Sequence, residues 1–275
     1  MLTLEQKQLI QEKAKAIRVN IVKSVTAAKS GHPGGSLSIA DVMSLLYFQE
    51  MNVNPNEPKD PNRDRFVLSK GHAAPALYAT LAEKGFFPTE ELLNLRKIDH
   101  ILQGHPDMKY IPGVDMSTGS LGQGISAACG MALAGKIDGA SYRVYSVLGD
   151  GELEEGQVWE AAMFAAHYKL SNLTAFVDFN GLQIDGDITK VMSPLPIDEK
   201  FKAFGWHVIV VDGHDLDALH AAVTEAKATI DKPTMVIMNT VKGKGVQAME
   251  GQAGWHGKAP SQEECDKFVA ELLEV

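Results

Sequence analysis

Apolar side chains at Ile10, Ala14, Ile17, Ile21, Val25 and Ala28 recur every three or four residues, the spacing of one helix face over 4–28. Ser30-Gly31 closes that run, since glycine is favoured just past a helix end. GHPGGS (31–36) reads as a loop, and a second helix is expected from about Ser38, with Asp41 placed for a capping box. DRFVLS (64–69) predicts a short buried strand running into KGHAAPALYATLAEKG, a helix stopped by Gly85. A polar loop (96–118) leads to STGSLGQG, which introduces the helix ISAACGMALAGKI. Next come the strand RVYSVLGD (143–150), the helix EGQVWEAAMFAAHYKL and the strand LTAFVDFN (173–180). The strand WHVIVVD, a helix near 215–230 and the strand TMVIMNT complete the alternation.

Strands that alternate with helices of ten or more residues predict an α/β fold with a parallel, Rossmann-like sheet. The strands are continuous Val, Ile and Leu runs, as expected when helices cover both faces. No repeat, low-complexity tract or linker interrupts the pattern, so residues 1–275 are expected to form one domain. In such sheets ligands bind at the carboxyl ends of the strands.

Composition narrows the function classes. A net charge of −9 with no Lys/Arg block argues against nucleic-acid binding. Cys129 and Cys265 are the two cysteines, far apart and without metal spacing; Cys129 is expected within a buried helix. The N-terminus is charged and amphipathic, unlike a signal peptide. No apolar run reaches the ~18 residues that cross a bilayer. A soluble, cytoplasmic protein is the expectation.

The candidate chemistry starts at GDGELEEG (149–156), four acids within six residues where a strand turns into a helix. A helix start favours anions, so these acids either cap the helix or await a positive charge. Asp150 ends one strand and Asn180 the next, 30 residues on. That interval suits a βαβ unit, which brings both side chains to one sheet edge. Taken singly, Asp150 reads as a cap and Asn180 as an Asx turn. Taken together they read as a partial oxygen shell for Mg²⁺, completed by phosphate and water, with Gly151 allowing close approach of a phosphate.

Histidine is a second signal. Of nine, five touch a glycine: His32, His72, His105, His214 and His256, an excess over random placement of 25 glycines in 275 residues. Imidazoles on tight loops suit catalysis. His214 reads more simply as a turn residue, and His167 and His220 as surface or packing residues; His100 and His207 carry no signal. Lys70, Lys242, Lys244 and Lys258 lie in Gly- or His-containing loops and could meet phosphate, although each also reads as a solvated lysine. Trp159, Phe164 and Tyr168 are expected in the core. Neither a serine nucleophile elbow nor a Walker lysine loop is present.

The segment 149–186, GDG then about thirty residues then Asn, resembles the thiamine diphosphate motif. With SGHPGGSLS, VLSKGHAAPALYATL, GHPD, STGSLGQGISAACGMA and WHGKAP in that order, residues 10–260 resemble the amino-terminal, diphosphate-binding half of transketolases. The resemblance implies that Asp150, Asn180 and the Leu182 carbonyl bind Mg²⁺ or Ca²⁺. Within the GDG turn, Gly149 and Gly151 would lie at the cofactor, with His72 and His256 also on its diphosphate. Gly119, Leu121, Ile184 and Asp178 would lie against its rings, and Lys70, Lys242 and Lys258 near it. His32, His105 and His256, with His72, would form the catalytic histidines that handle the sugar donor. Glu155 would face a dimer interface, pairing with the carboxylate that activates the cofactor, and Glu160 would join it.

In transketolases the activating glutamate, the pyrimidine pocket and the phosphate-gripping arginines lie in the next domain. The resemblance therefore implies a split enzyme of the pentose phosphate type, with the pyrimidine-binding and C-terminal domains on a partner chain in an α₂β₂ assembly. Its reaction would move a two-carbon ketol unit between sugar phosphates. The alternatives are relatives acting on apulose phosphate or sulfosugars, a 1-deoxyxylulose-5-phosphate synthase-like enzyme, and a cofactor-binding subunit without catalysis. The α chain of a 2-oxoacid dehydrogenase lacks the SGHPGG opening.

Overall fold

The computed structural model describes residues 1–274. The helix that the apolar period predicts is α1 (Leu4–Ala28), opened by a capping box between Thr3 and Gln6. Its left-handed cap falls on Lys29 (φ 52°), one residue before the expected Ser30-Gly31. GHPGGS is not a loop. Pro33 starts α2 (Pro33–Leu37), because its fixed φ suits a first helical position, and all five residues are buried. α3 (Ala40–Leu45) widens into a π-turn over Leu46–Glu50. Asp41 lies inside α3 and caps nothing; its carboxylate meets Arg18 and His214 instead.

Next come β1 (Arg65–Leu68), α4 (Ala74–Lys84), α5 (Gln123–Asp138), β2 (Val144–Gly149), α6 (Gly156–His167) and β3 (Leu173–Phe179). A small hairpin, β4 (Leu182–Gln183) with β5 (Gly186–Asp187), leads to α7 (Ile188–Val191) and α8 (Ile197–Ala203). The chain continues with β6 (His207–Asp212), α9 (Leu216–Ala228), β7 (Thr234–Asn239) and α10 (Gln262–Glu274). The hairpin, α7 and α8 go beyond the sequence pattern, being too short to show a period. α10 goes beyond it too, although it buries Cys265, Phe268 and Leu272 at helical spacing.

The five long strands form a parallel sheet in the order β1-β2-β3-β7-β6. Alternate residues enter two separate cores. Tyr145, Val147, Phe176, Val236 and Met238 pack against α1, α3, α4 and α9. Val144, Leu148, Val177, Met235 and Ile237 pack against α5, α6 and α8. Helices on both faces explain why β2 and β3 are buried almost throughout. The expected core aromatics divide: Trp159 packs against Phe201 and Phe204, while Phe164 and Tyr168 are exposed. On α6 those two point away from the sheet, with Met163 and Glu160 exposed beside them. Every connection that leaves β1, β2, β3 or β7 at its carboxyl end carries polar residues, and these meet in one place.

Candidate functional site

β2 and β3 set the floor. Gly149 pairs in register with Asp178, so the residues just beyond, Asp150 and Asn180, emerge side by side. Asp150 accepts the N–H of Gly151 at 2.8 Å and of Gly181 at 2.7 Å. No side-chain cation touches it. Burial, and after it the neighbouring Asp178, push its carboxyl up to about 6. Asn180 accepts the Leu182 N–H at 3.1 Å and donates to Asp178 at 2.9 Å, the Asx turn its alternative reading anticipates.

Asp178 is fully buried and saturated. Ser38, Lys70 (2.6 Å), Asn180 and Thr240 all donate to its carboxylate. Burial alone would raise its pKa, but Lys70 and these hydroxyls hold it below the usual range. It borders the cavity with no oxygen left to offer. Lys70 is no surface lysine: it is 1% exposed and also donates to the Gly35 carbonyl at 2.7 Å.

Glu152, one of the four acids of GDGELEEG, neither caps a helix nor awaits a cation. Its buried carboxylate accepts from Ser69 Oγ (2.5 Å), Gly122 N (2.9 Å) and Gly149 N (3.0 Å). It thereby ties the end of β1 and the start of α5 to the GDG turn. Close approach of two loops completes this: a Cβ on Gly71 would lie 2.7 Å from the Gly119 N, so glycine is required there.

Three imidazoles form the opposite wall. The rings of His32, His72 and His256 lie 5.2–5.3 Å apart, centroid to centroid. Lys242 joins them, donating to the Leu182 carbonyl at 3.0 Å and meeting His256 Nδ1 at 3.1 Å. Burial first, and then neighbouring cations, lower all four groups: His32 to about 4, His256 to about 3, His72 well below its ordinary value and Lys242 to about 8. This half-buried wall of three imidazoles and one ammonium, with no carboxylate on its histidines, can receive an anion. His32 Nδ1 is buried without a partner.

Walls and floor enclose a cavity of about 260 Å³. His32, His72, Gly119, Leu121, Gly149, Asp150, Gly151, Asp178, Asn180, Leu182, Ile184, Lys70, Lys242 and His256 all line it, as the spacing and resemblance predict. His105 lines an adjoining cavity of about 580 Å³, which Gly119 shares. Glu155 and Glu160 are exposed outside both. Lys244 and Lys258 are not brought in: Lys244 pairs with Glu250 at 3.4 Å, and Lys258 lies over Trp255 near Glu264. Sequence reasoning missed Gly35, Glu152 and Gln183, which also line the cavity. It also missed Arg96, whose charge lowers His32 and His105. A left-handed backbone (φ 60°) within a polar loop gives Arg96 no sequence signature.

Residues 9–272 match the family model described as transketolase, thiamine diphosphate binding domain. The chain is 48% identical over 269 residues to the 6-deoxy-6-sulfo-D-fructose transketolase subunit SqwG of Clostridium sp. (strain MSTE9), covering 98% of each. It is 44% identical to an apulose-4-phosphate transketolase subunit of Phocaeicola vulgatus, covering 91% of that protein. Human transketolase is 47% identical over 267 residues, and there the match spans only 42% of the relative. The solved transketolase from Leishmania mexicana superimposes with a TM-score of 0.90 at 34% identity, over 96% of this chain and 41% of that one. The chain thus spans less than half of the full-length relatives and nearly all of the two named as subunits. Among the described residues no helix is long and apolar enough to cross a membrane.

Proposed function

The chain belongs to the transketolase family and carries its thiamine diphosphate binding domain, and from that premise we propose that it is the diphosphate-binding subunit of a two-chain, cytoplasmic transketolase. One observation carries the reading. The ends of β2 and β3 bring Asp150 and Asn180 together, and both line one cavity with Leu182, His32, His72, His256 and Lys242. Oxygen donors and N–H donors meeting in one cavity suit a divalent cation bound to a diphosphate.

The residues fit both groups. Asp150, Asn180 and Leu182 offer only hard oxygens, the donor set Mg²⁺ prefers, and the buried Asp150 carboxylate has no cation in contact. Gly35 leaves the anion room, since a Cβ there would lie 3.6 Å from both His72 Nε2 and Lys70 Nζ. Thiamine diphosphate, when bound, supplies the carbon centre at which a ketose is cleaved and a new ketose is formed. The chain does the rest. Gly151, His72, His256 and Lys242 bind the diphosphate. Gly119, Leu121 and the exposed Ile184 bound the space for its rings. His32 and His105 face the sugar; both are held neutral at pH 7 by burial and by Arg96, so a free ring nitrogen can take a hydroxyl proton.

The second chain would supply the pyrimidine-binding domain, and Glu155, with the exposed face of α6 at Glu160, Met163, Phe164 and Tyr168, is where it or a second copy would dock. The names of the two subunit relatives support a partner chain, and an α₂β₂ assembly is the stoichiometry proposed. Ketol transfer between sugar phosphates is the reaction. The names of the same relatives support a second donor class beside the common pentose phosphates, a sulfosugar or apulose phosphate. Purifying the chain alone and with the product of an adjacent gene tests the proposal. Ketol transfer from xylulose 5-phosphate or 6-deoxy-6-sulfofructose should need both chains and Mg²⁺. Full turnover by this chain alone would overturn the two-chain claim.

A further inference from the structure

A polar cluster behind the cavity takes no part in the site yet reaches its lysine. Arg18 on α1, Asp41 on α3 and His214, between β6 and α9, line none of the site's cavity. Their side chains are nonetheless only 11–14% exposed. Arg18 Nη2 lies 2.5 Å and His214 Nδ1 2.7 Å from the same oxygen of Asp41. His214 Nε2 accepts the N–H of Val241 at 2.9 Å. A backbone amide can only donate, so Nε2 is bare, and Nδ1 carries the proton given to Asp41. Burial would raise Asp41, but Arg18 and His214 together hold its carboxyl below the usual range. His214 is therefore not the simple turn residue its sequence suggests.

The far end of the cluster matters as much. Arg18 Nε donates to the Lys244 carbonyl at 3.1 Å. Val241 N and Lys244 O bracket Lys242, whose ammonium lies in the cavity on the Leu182 carbonyl and His256. Gly243 (φ 79°) and Gly245 (φ 92°) leave this segment free to take many conformations. Two turns of its own, Lys244 N–H to Val241 O at 3.1 Å and Val246 N–H to Gly243 O at 3.2 Å, shape it in part, and contacts from outside fix where it sits. The trio supplies two of the fixed points; the Gly34 carbonyl, which accepts the Gly243 N–H at 2.9 Å, supplies a third.

We propose that Arg18, Asp41 and His214 form a clamp that positions Lys242, setting the geometry of the diphosphate end of the site without touching it. The functional half of this statement rests on Lys242 binding the diphosphate, as read above; the structural half does not. Two substitutions separate the two bonds of His214. In His214→Gln the amide oxygen can replace Nε2 as acceptor for Val241. In His214→Asn the amide nitrogen can still donate to Asp41, but the Val241 N–H loses its acceptor.

Hydrogen exchange of residues 240–246 and titration with thiamine diphosphate plus Mg²⁺ read the two halves, with the complete two-chain protein used throughout. His214→Asn should speed exchange at Val241 and its neighbours by at least about tenfold. It should also weaken thiamine diphosphate binding about tenfold or more, the effect typical of losing a ligand's supporting partner. His214→Gln, which keeps an acceptor for Val241 but gives up the bond to Asp41, should fall between wild type and His214→Asn in both. Side-chain ¹⁵N spectra should show the proton of His214 on Nδ1. Unchanged exchange in His214→Asn, or a proton on Nε2, overturns the clamp. Faster exchange with unchanged affinity overturns its role in positioning Lys242. If the wild type binds no thiamine diphosphate at all, the functional reading falls, while the exchange data still decide whether the clamp exists.

Discussion

Asp150 and Asp178 are buried aspartates at the ends of neighbouring strands, and they could hardly be treated more differently. Asp178 receives Lys70, Ser38, Thr240 and Asn180 and is held ionised. Asp150 receives two backbone N–H groups and no cation in contact, and burial pushes it to about 6. A buried carboxylate is tolerated when its charge is answered. One is answered by the fold itself; the other receives only backbone N–H groups, and on the proposed function a cation would complete the answer. Asp178 therefore belongs to the structure that makes the site, and Asp150 to the site.

Substitutions should separate the two. Asp178→Asn leaves the buried Lys70 ammonium without a counter-charge, and should cost about 3–5 kcal/mol by urea denaturation. Asp150→Asn should cost nothing of that size, and equal losses in the two would erase the distinction. The pH dependence sharpens it next, measured without metal or cofactor. Because folding raises Asp150 from 3.8 to about 6, its favourable contribution is complete below about 3.8 and is lost as pH rises through 6. Asp150→Asn should remove that slope, worth about 3 kcal/mol by pH 7.

The histidine wall runs in the opposite sense. Folding lowers His256 from 6.5 to about 3, so its contribution is complete above 6.5 and is lost as pH falls toward 3. His256→Asn should make the acid limb of the stability profile shallower; an unchanged limb would show that the ring is not held neutral by burial. The smallest effect concerns Glu155. Being exposed, Glu155→Gln should shift stability by no more than about 0.5 kcal/mol. It should slow ketol transfer only in the two-chain enzyme.

Much of this is legible in the sequence. The alternation of apolar runs with helices predicts every strand of the main sheet; burial on both faces explains the runs in β2, β3 and β7, while the edge strand β6 keeps its run although half-exposed. The 30-residue interval from Asp150 to Asn180 predicts their meeting, since one crossover fixes it. Other features depend on distant chain and leave no local mark. Glu152 looks like one more acid at a helix start, and only the arrival of Ser69 and Gly122 shows its use. Lys70 looks like any loop lysine until Asp178 and Gly35 close around it. GHPGGS departs from its expected loop because its glycines weigh toward a turn, while tertiary burial of α2 lets Pro33 start a helix. His214 and Asp41, 173 positions apart, could be paired only by the fold.

The central claim, that Asp150 awaits the metal of a diphosphate, comes down to one titration. Thiamine diphosphate should be added to the two-chain protein, wild type and Asp150→Asn, with Mg²⁺ and with chelator. The account predicts that wild type binds only with Mg²⁺ present, and that Asp150→Asn binds at least about 100-fold more weakly while melting as wild type does. Equal affinity in the two proteins would contradict it and leave Asp150 as a cap for the turn that follows β2.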